Sequence, residues 1–380
     1  MRITAPTETA LGETRVALVP RSATQLVSTG ATVAIQAGAG AAAGITDAAY
    51  GEVGAEVVAD RAALLAGADI VVVVRRPDAG FVSQMKRGSV LVGVLEPAGD
   101  PSVVRALVDG GVTAFRLEAM PRISRAQDMD VLSSMATLAG YHAAVMAAFR
   151  LPRIFPLMMT AAGTITPARA LILGAGVAGL QAIATCRRLG AVVEAFDVRP
   201  AVRDQVESLG ARFVETGVES ESQQDTGGYA RELEADAQAR QHEVLAEHVK
   251  ESDVVISTAQ IPNRKAPILI TADMVASMRT GSVIVDLAAP GGGNCELTKP
   301  GEDVDANGVL ILGPLNLPAA IPGQASQLYS HNATRFLMQI LKDGQLVLDF
   351  DDVVISQTCI THEGRPMGDA IEALLQGATT

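Results

Sequence analysis

Three glycines and one acid carry the chemistry that reads most directly from this chain. The segment Arg169–Gly179, RALILGAGVAG, closes an apolar run with Gly174, Gly176 and Gly179, and a second apolar run, AVVEAF, ends at Asp197. The first glycine lets a strand turn sharply, and the second lets backbone N–H groups approach a pyrophosphate. The third lets the next helix pack close to the sheet, with its positive N-terminal end toward the phosphates. Ala175 and Val177 stand between these glycines and belong to the same cradle. An acid about twenty residues on suits a free ribose 2′-hydroxyl and repels a 2′-phosphate. The pattern therefore predicts a dinucleotide site that takes NAD(H) rather than NADP(H). Val198 and Arg199 follow Asp197 directly, and the charge of Arg199 makes that preference the softer half of the prediction. Ala259, just past the apolar run DVVIS, completes the expected cofactor set.

The elements that must position these residues alternate along the chain. Apolar runs of strand length (ATVAIQAG, DIVVVVRR, VLVGVLE, VTAFRLE, RALILGAG, AVVEAFDV, DVVISTA, SVIVDLA, GVLILGP) are separated by helix-like stretches. That rhythm means βαβ units and parallel sheets. The glycine turn begins near residue 169, too late for one domain starting at residue 1. The expected fold is α/β, with two Rossmann-like doubly wound parallel-sheet domains and an inter-domain cleft. Residues 1–132 with 320–380 form a discontinuous N-terminal domain, and residues 133–319 form the nucleotide-binding domain. Asp130–Arg150 reads as one long helix rich in small residues, and a second helix runs from Gln324 to Leu341. The tail LVLDFDDVVISQTCITHEGR holds at least one strand that returns to the first domain. Glu215–Val249 breaks the rhythm: it is polar, with Tyr229 behind Gly227 and Gly228 as its one aromatic, and segments of this length act as lids or binding loops.

Composition removes several classes of function. With 42 acidic and 30 basic side chains the net charge is -12, so nucleic acid and anionic membrane are excluded as non-specific partners. Cys186, Cys295 and Cys359 are scattered, which gives neither a disulfide framework nor zinc spacing and points to a reducing compartment. The five histidines make no metal-ligand pattern. The opening residues MRITAPTE carry no apolar signal core, and Ala170–Cys186 comes nearest to a spanning segment but is broken by glycine and Gln181. A soluble protein is expected.

Several longer motifs occur in order: ETRVALVP, PRISRAQDMDVLSSMATLAGY, TITPARALILGAGVAGLQAIATCRRLGAVVEAFDVRP, DTGGYARE, AEHVKESDVVISTAQIP and GSVIVDLAAPGGGNCE. Together they resemble the NAD(H)-binding component of proton-translocating NAD(P) transhydrogenases, in the form where it is a separate polypeptide. The related alanine dehydrogenases share the glycine motif. The resemblance implies hydride transfer from NADH bound here to NADP+ held on an NADP(H)-binding partner subunit. It further implies coupling to proton movement by a membrane-spanning subunit, a homodimer of this component, and a peripheral place on the cytoplasmic face of the inner membrane.

Hydride transfer between two nicotinamides needs no general base; it needs rings held in contact, water excluded and the carboxamide fixed. Arg122, Gln127, Asp130 and Ser133 fit that task, and the last three are spaced by three residues, so they can project from one side of a turn. The resemblance places Arg122, Asp130 and Ser133 on the carboxamide and Gln127 on the nicotinamide ribose or the partner. It places Tyr229 on a loop that folds over the nucleotide. A plainer reading stays open from the residues alone: Asp130 or Ser133 as a helix cap, and Arg122 and Gln127 as solvated side chains. Against the alanine dehydrogenase pattern, Pro290 stands where an aspartate is expected, and Leu95 and Glu96 stand where a histidine is expected. Arg15, Arg75 and Arg76 lie near that family's carboxylate-binding positions, with salt bridges as the competing role. A free-standing amino-acid dehydrogenase is the alternative function, and these missing base positions count against it.

Overall fold

A computed structural model describes residues 1–215, 235–261, 264–342 and 344–377. The chain divides into two compact units, Met1–Met135 with Pro318–Thr380, and Ala136–Leu317. Each is built on one Rossmann-like, doubly wound sheet.

The first unit has an eight-stranded sheet. Six parallel strands lie in the order Glu56–Val58, Thr32–Gln36, Arg2–Ala5, Ile70–Arg75, Val90–Val94, Thr113–Arg116, so the strand order reverses beside the first strand. Ile70–Val74 is an unbroken β-branched run buried on both faces, as a central parallel strand requires. Each such Val or Ile contributes roughly 1.5–3 kcal/mol relative to an exposed position. Cys359–His362 then adds antiparallel to Thr113–Arg116, and Arg365–Pro366 pairs with it at the edge. The tail thus closes the sheet begun by residue 2. The helix Pro322–Ile340 packs into this core through Tyr329, Phe336 and Leu337, and the Tyr329 hydroxyl donates to the Val73 carbonyl at 2.7 Å.

The second unit has a seven-stranded sheet in the order Arg212–Phe213, Val192–Phe196, Arg169–Leu173, Val254–Ser257, Val283–Asp286, Val309–Leu312, Asp303–Ala306, in which only the last strand is antiparallel. Here too the order reverses beside the first strand, Arg169–Leu173. The helix Val131–Arg150, rather than the Ala170–Cys186 strand, turn and helix, is the one described helix that by length and composition alone could cross a membrane. Its Ala143, Ala144 and Ala147 are packed into the core of this unit instead. Gly140 sits so close to the next helix that a Cβ would lie 2.0 Å from the Ala178 carbonyl oxygen.

Candidate functional site

In the second unit, the glycine turn lies at the carboxyl ends of adjacent strands, where open α/β sheets bind ligands. Gly174 takes φ +95°, which ends the strand Arg169–Leu173 in a turn that L-residues resist. Gly179 lies in the first turn of the helix Val177–Arg188, and a Cβ there would stand 1.8 Å from the Gly174 carbonyl oxygen. Helix and turn can touch only because Gly179 lacks a side chain, while a Cβ at Gly174 would meet Thr258 Oγ1 at 2.6 Å. Gly176 is the N-cap and supplies no capping side chain, so the first-turn amides are the donors an anion would take. Ala175 is buried and Val177 is exposed at the mouth of the turn.

Asp197 follows the neighbouring strand and is buried. Its Oδ2 accepts the Ala175 N–H at 2.7 Å and Arg199 Nη2 at 2.7 Å, while Oδ1 accepts the Arg199 N–H at 2.9 Å and Nε at 2.8 Å. The carboxylate thereby ties the glycine turn to the second strand. Val198, between the paired residues, packs partly against the core.

Ala259 follows the strand Val254–Ser257 and is held by Asn294, which is fully buried. Asn294 is in turn fixed by Asp286, whose carboxylate collects five donors. Ser257 Oγ (2.9 Å) and the Ala288 N–H (3.0 Å) reach Oδ1; the Asn294 N–H (2.7 Å), the Cys295 N–H (3.0 Å) and Thr298 Oγ1 (2.7 Å) reach Oδ2. The loop Pro290–Asn294 is therefore wound around the one buried side chain of Asp286. The sequence marks the loop by its glycines, but nothing in the sequence marks Asp286 as its hub. Burial pushes the Cys295 thiol up to about 11, so it is a packed thiol and not a nucleophile. Cys186 is likewise buried in the helix packing, its thiol pushed up to about 12.

In the first unit, Arg122 and Gln127 are exposed and Asp130 and Ser133 half-buried. Asp130 does cap the long helix: its Oδ1 accepts the Ser133 N–H at 2.9 Å, and Ser133 Oγ donates to its Oδ2 at 2.6 Å. The residues between are anchors. Arg125 makes a two-pronged bond to Asp352 (3.0 and 2.6 Å), Arg335 Nε donates to Asp128 Oδ2 at 2.6 Å, and Asn332 Nδ2 donates to the Asp128 carbonyl at 2.8 Å. A short 3-10 turn, Ser124–Met129, is thus braced from below while Gln127 stays exposed. Tyr229 lies outside the described residues.

Two glutamates organise the strand ends of this first unit, and sequence reasoning missed both. Glu8 accepts the consecutive N–H groups of Val74 and Arg75 (2.6 and 3.0 Å), and Glu118 accepts those of Leu95 and Glu96 (3.0 and 2.7 Å). Although Glu8 as a residue is half-exposed, its carboxyl group faces inward, and burial pushes its pKa up to about 7. Burial also raises that of Glu118. Of the three arginines considered for anion binding, Arg15 makes a buried bidentate pair with Glu13 (2.7 and 2.6 Å). Arg75 lies 3.8 Å from Glu13 and 3.7 Å from Glu96, and Arg76 donates to the Leu95 and Glu96 carbonyls. All three serve internal pairing.

A groove of about 350 Å³ in the second unit, lined by His142, Met146, Phe149, Arg150, Asp303 and Pro314, contains none of the expected site residues. Its lining is largely apolar, with one ion pair, Arg150–Asp303, and burial lowers the pKa of His142. It holds no set of groups suited to catalysis.

The family models for the alanine dehydrogenase/PNT N-terminal and C-terminal domains match residues 4–139 and 143–368. The chain is 44% identical to the first polypeptide of the NAD(P) transhydrogenase subunit alpha from Rhodospirillum rubrum, over the full length of both. The chain belongs to the NAD(P) transhydrogenase alpha-subunit family. Among solved structures it superimposes on a transhydrogenase from Sinorhizobium meliloti with a TM-score of 0.85 at 40% identity, covering 97% of this chain and 100% of that one. An L-alanine dehydrogenase superimposes almost as well, with a TM-score of 0.84 and 99% of each chain covered, but at 27% identity. The fold is common to both branches of this group, and the sequence lies nearer the transhydrogenases.

Proposed function

We propose that this chain is the NAD(H)-binding, peripheral component of a proton-translocating NAD(P) transhydrogenase. The observation that carries the reading is the glycine turn tied to Asp197 within a chain alike, end to end, to a transhydrogenase alpha-subunit polypeptide. The residues present fit a dinucleotide. The Gly174–Gly179 contact leaves backbone where side chains would block a pyrophosphate, Asp197 suits a ribose hydroxyl, and Ala259 borders the same strand ends.

Bound NADH would supply the hydride, which passes from its nicotinamide C4 to that of NADP+ held on a partner subunit, giving NAD+ and NADPH. No proton changes hands, so the chain's own residues bind and orient rather than act as acid or base. Gly174, Ala175, Gly176, Val177 and Gly179 hold the pyrophosphate, while Asp197, Val198, Arg199 and Ala259 hold the adenosine half. Arg122, Asp130 and Ser133 fix the carboxamide, and Gln127, carried on its braced turn, bonds the nicotinamide ribose or the partner. Asp130 and Ser133 already bond each other, so their geometry is set before the carboxamide arrives.

The reading includes a homodimer, an NADP(H)-binding subunit and a membrane-spanning subunit that performs the proton coupling, with this chain on the cytoplasmic face. Exposed apolar side chains of the second unit support such contacts: Phe149 (86%), Met159 (76%) and Leu157 (57%) stand open to solvent. An amino-acid dehydrogenase would need a base to manage the proton on nitrogen, and Leu95 is buried while Glu96 faces Arg75.

Two parallel assays test the reading with the purified chain and NADH. One adds an NADP(H)-binding transhydrogenase subunit, NADP(H) and an NAD analogue as acceptor; the other adds pyruvate and ammonia. Turnover confined to the first is expected. Turnover in the second alone would replace the reading with an alanine-type dehydrogenase. Gln127→Asn should slow hydride transfer with NADH affinity little changed, whereas equal loss of both would remove Gln127 from the transfer step.

A further inference from the structure

One peptide unit of the glycine turn is gripped at both ends. The Ala175 N–H donates to Asp197 Oδ2 at 2.7 Å, and the Gly174 carbonyl of the same unit accepts Thr258 Oγ1 at 3.0 Å. Carbonyl and N–H of a trans peptide point in opposite directions, so grips on both stop the plane from rotating. Thr258 reaches this place through strand register. Ser257 pairs with Leu173 across parallel strands, and the next residues, Thr258 and Gly174, meet just beyond the sheet. The Thr258 N–H donates to the Leu173 carbonyl at 2.8 Å, and Oγ1 lies 3.3 Å from that oxygen, so the hydroxyl proton goes to the nearer Gly174 carbonyl. Gly179 leaves room for this contact as well, since a Cβ there would stand 3.3 Å from Thr258 Oγ1.

We infer that Thr258 is a positioning residue for the pyrophosphate: its hydroxyl, working opposite Asp197, sets the plane of the Gly174–Ala175 peptide and so the direction in which the next amides of the turn face. Helix geometry begins at Val177, with Gly176 as an extended N-cap. Only Ala175 and Gly176 therefore lie between the gripped peptide and the first turn of the helix. The Gly176 and Val177 amides are held from both sides before any anion arrives, and donors ordered in advance lose less freedom on binding. Thr258 acts through the turn and touches no phosphate. Asp197 keeps its bonds to the Arg199 backbone and guanidinium when Thr258 is changed, so the ribose contact does not depend on the hydroxyl.

The inference rests on the NAD(H)-binding reading, and the experiment separates the two. Binding of NADH is measured by nucleotide fluorescence, and binding of ADP and adenosine by displacement of NADH. The full chain is compared with Thr258→Ala and Thr258→Ser, with folding checked by circular dichroism. Serine and alanine differ only in the hydroxyl. Thr258→Ala should weaken NADH and ADP alike by about fivefold or more, and leave adenosine, which carries no phosphate, within about twofold. Thr258→Ser should restore both. An unchanged NADH affinity in Thr258→Ala overturns the inference, as does an equal loss for adenosine, the mark of a crevice disturbed as a whole. A serine variant as weak as the alanine one overturns it too. If Thr258→Ala fails to fold, Thr258→Val, close in shape but without the donor, is read by the same criteria. If neither folds, the hydroxyl serves folding alone and the inference falls. Failure of the unaltered chain to bind NADH at all would instead overturn the functional reading beneath it.

Discussion

Asn294 grips Ala259 by both of its backbone groups: its Oδ1 accepts the Ala259 N–H at 3.0 Å, and its Nδ2 donates to the Ala259 carbonyl at 2.9 Å. The same Nδ2 reaches the Pro267 carbonyl at 2.8 Å, so one buried amide side chain joins two loops. The strand end bearing Ala259 is therefore as rigid as the Asp286 hub that holds Asn294. Asn294→Ala would strand three half-buried backbone groups and should cost about 2 kcal/mol, with NADH affinity falling about tenfold. Urea unfolding and NADH titration check this together. A destabilised variant with unaltered affinity would detach Ala259 from nucleotide binding. Asn294→Asp should be at least as damaging, because it brings a second carboxylate toward Asp286 and removes the donor.

The three glycines of the turn make different demands, so they should separate on mutation. A Cβ at Gly179 meets backbone at 1.8 Å and no rotamer can relieve it; Gly179→Ala should cost about 3 kcal/mol or more. Gly176 has φ −77° and open space around a Cβ, so Gly176→Ala should leave stability within about 0.5 kcal/mol. Its methyl group would nonetheless stand where backbone must approach pyrophosphate, and NADH binding should weaken. Thermal melts with nucleotide titrations on both variants distinguish structural from ligand demand. Equal behaviour of the two would sink the assignment.

Glu8 makes stability depend on pH in the direction opposite to a salt-bridged acid. Its folded pKa, about 7, lies above the ordinary glutamate value of 4.5, so the folded chain holds the proton more tightly than the unfolded chain does. Stability from this group is fullest below about 4.5, falls as pH rises toward 7, and is then level, a loss of about 3 kcal/mol in all. Glu8→Gln removes that slope. Denaturant midpoints of the two proteins between pH 5 and 8 should converge or cross as pH rises, and parallel curves would refute the assignment.

Runs of β-branched residues revealed most of both sheets, because a strand buried on both faces leaves an unbroken apolar signature, as in Ile70–Val74. The strand Arg2–Ala5 escaped notice although it lies beside the reversal point of its sheet. Four residues give no period, and its polar Thr4 is buried with Oγ1 3.4 Å from the Ile70 carbonyl. The glycine turn was legible because its demands are local. The Asp286 hub was not, since its donors span Ser257 to Thr298 and converge only when the sheet forms. Arg15 shows the limit at short range: Glu13 is two residues away, but which way both side chains turn is decided by burial.

Gln127 owes its position to residues that never face it. Arg125 holds Asp352, which also accepts Gln339 Nε2 at 3.0 Å and caps the helix Val353–Thr358 through the Val354 N–H at 2.8 Å. These bonds, the Arg125 pair first, keep the Asp352 carboxyl below the usual carboxylate range. Asp352→Ala removes a cap and a brace at once and should cost about 1–2 kcal/mol, with the half-exposed Arg125 pair adding little of it. The kinetic effect should be larger than the thermodynamic one suggests. A turn freed to wander by an ångström misplaces Gln127 against the reacting rings, and hydride transfer should slow about tenfold or more. NADH affinity should hold, because the glycine turn and Asp197 belong to the other unit. Stopped-flow hydride transfer with the partner subunit, beside NADH titration, reads both quantities. A transfer rate unchanged in Asp352→Ala would show that Gln127 needs no brace.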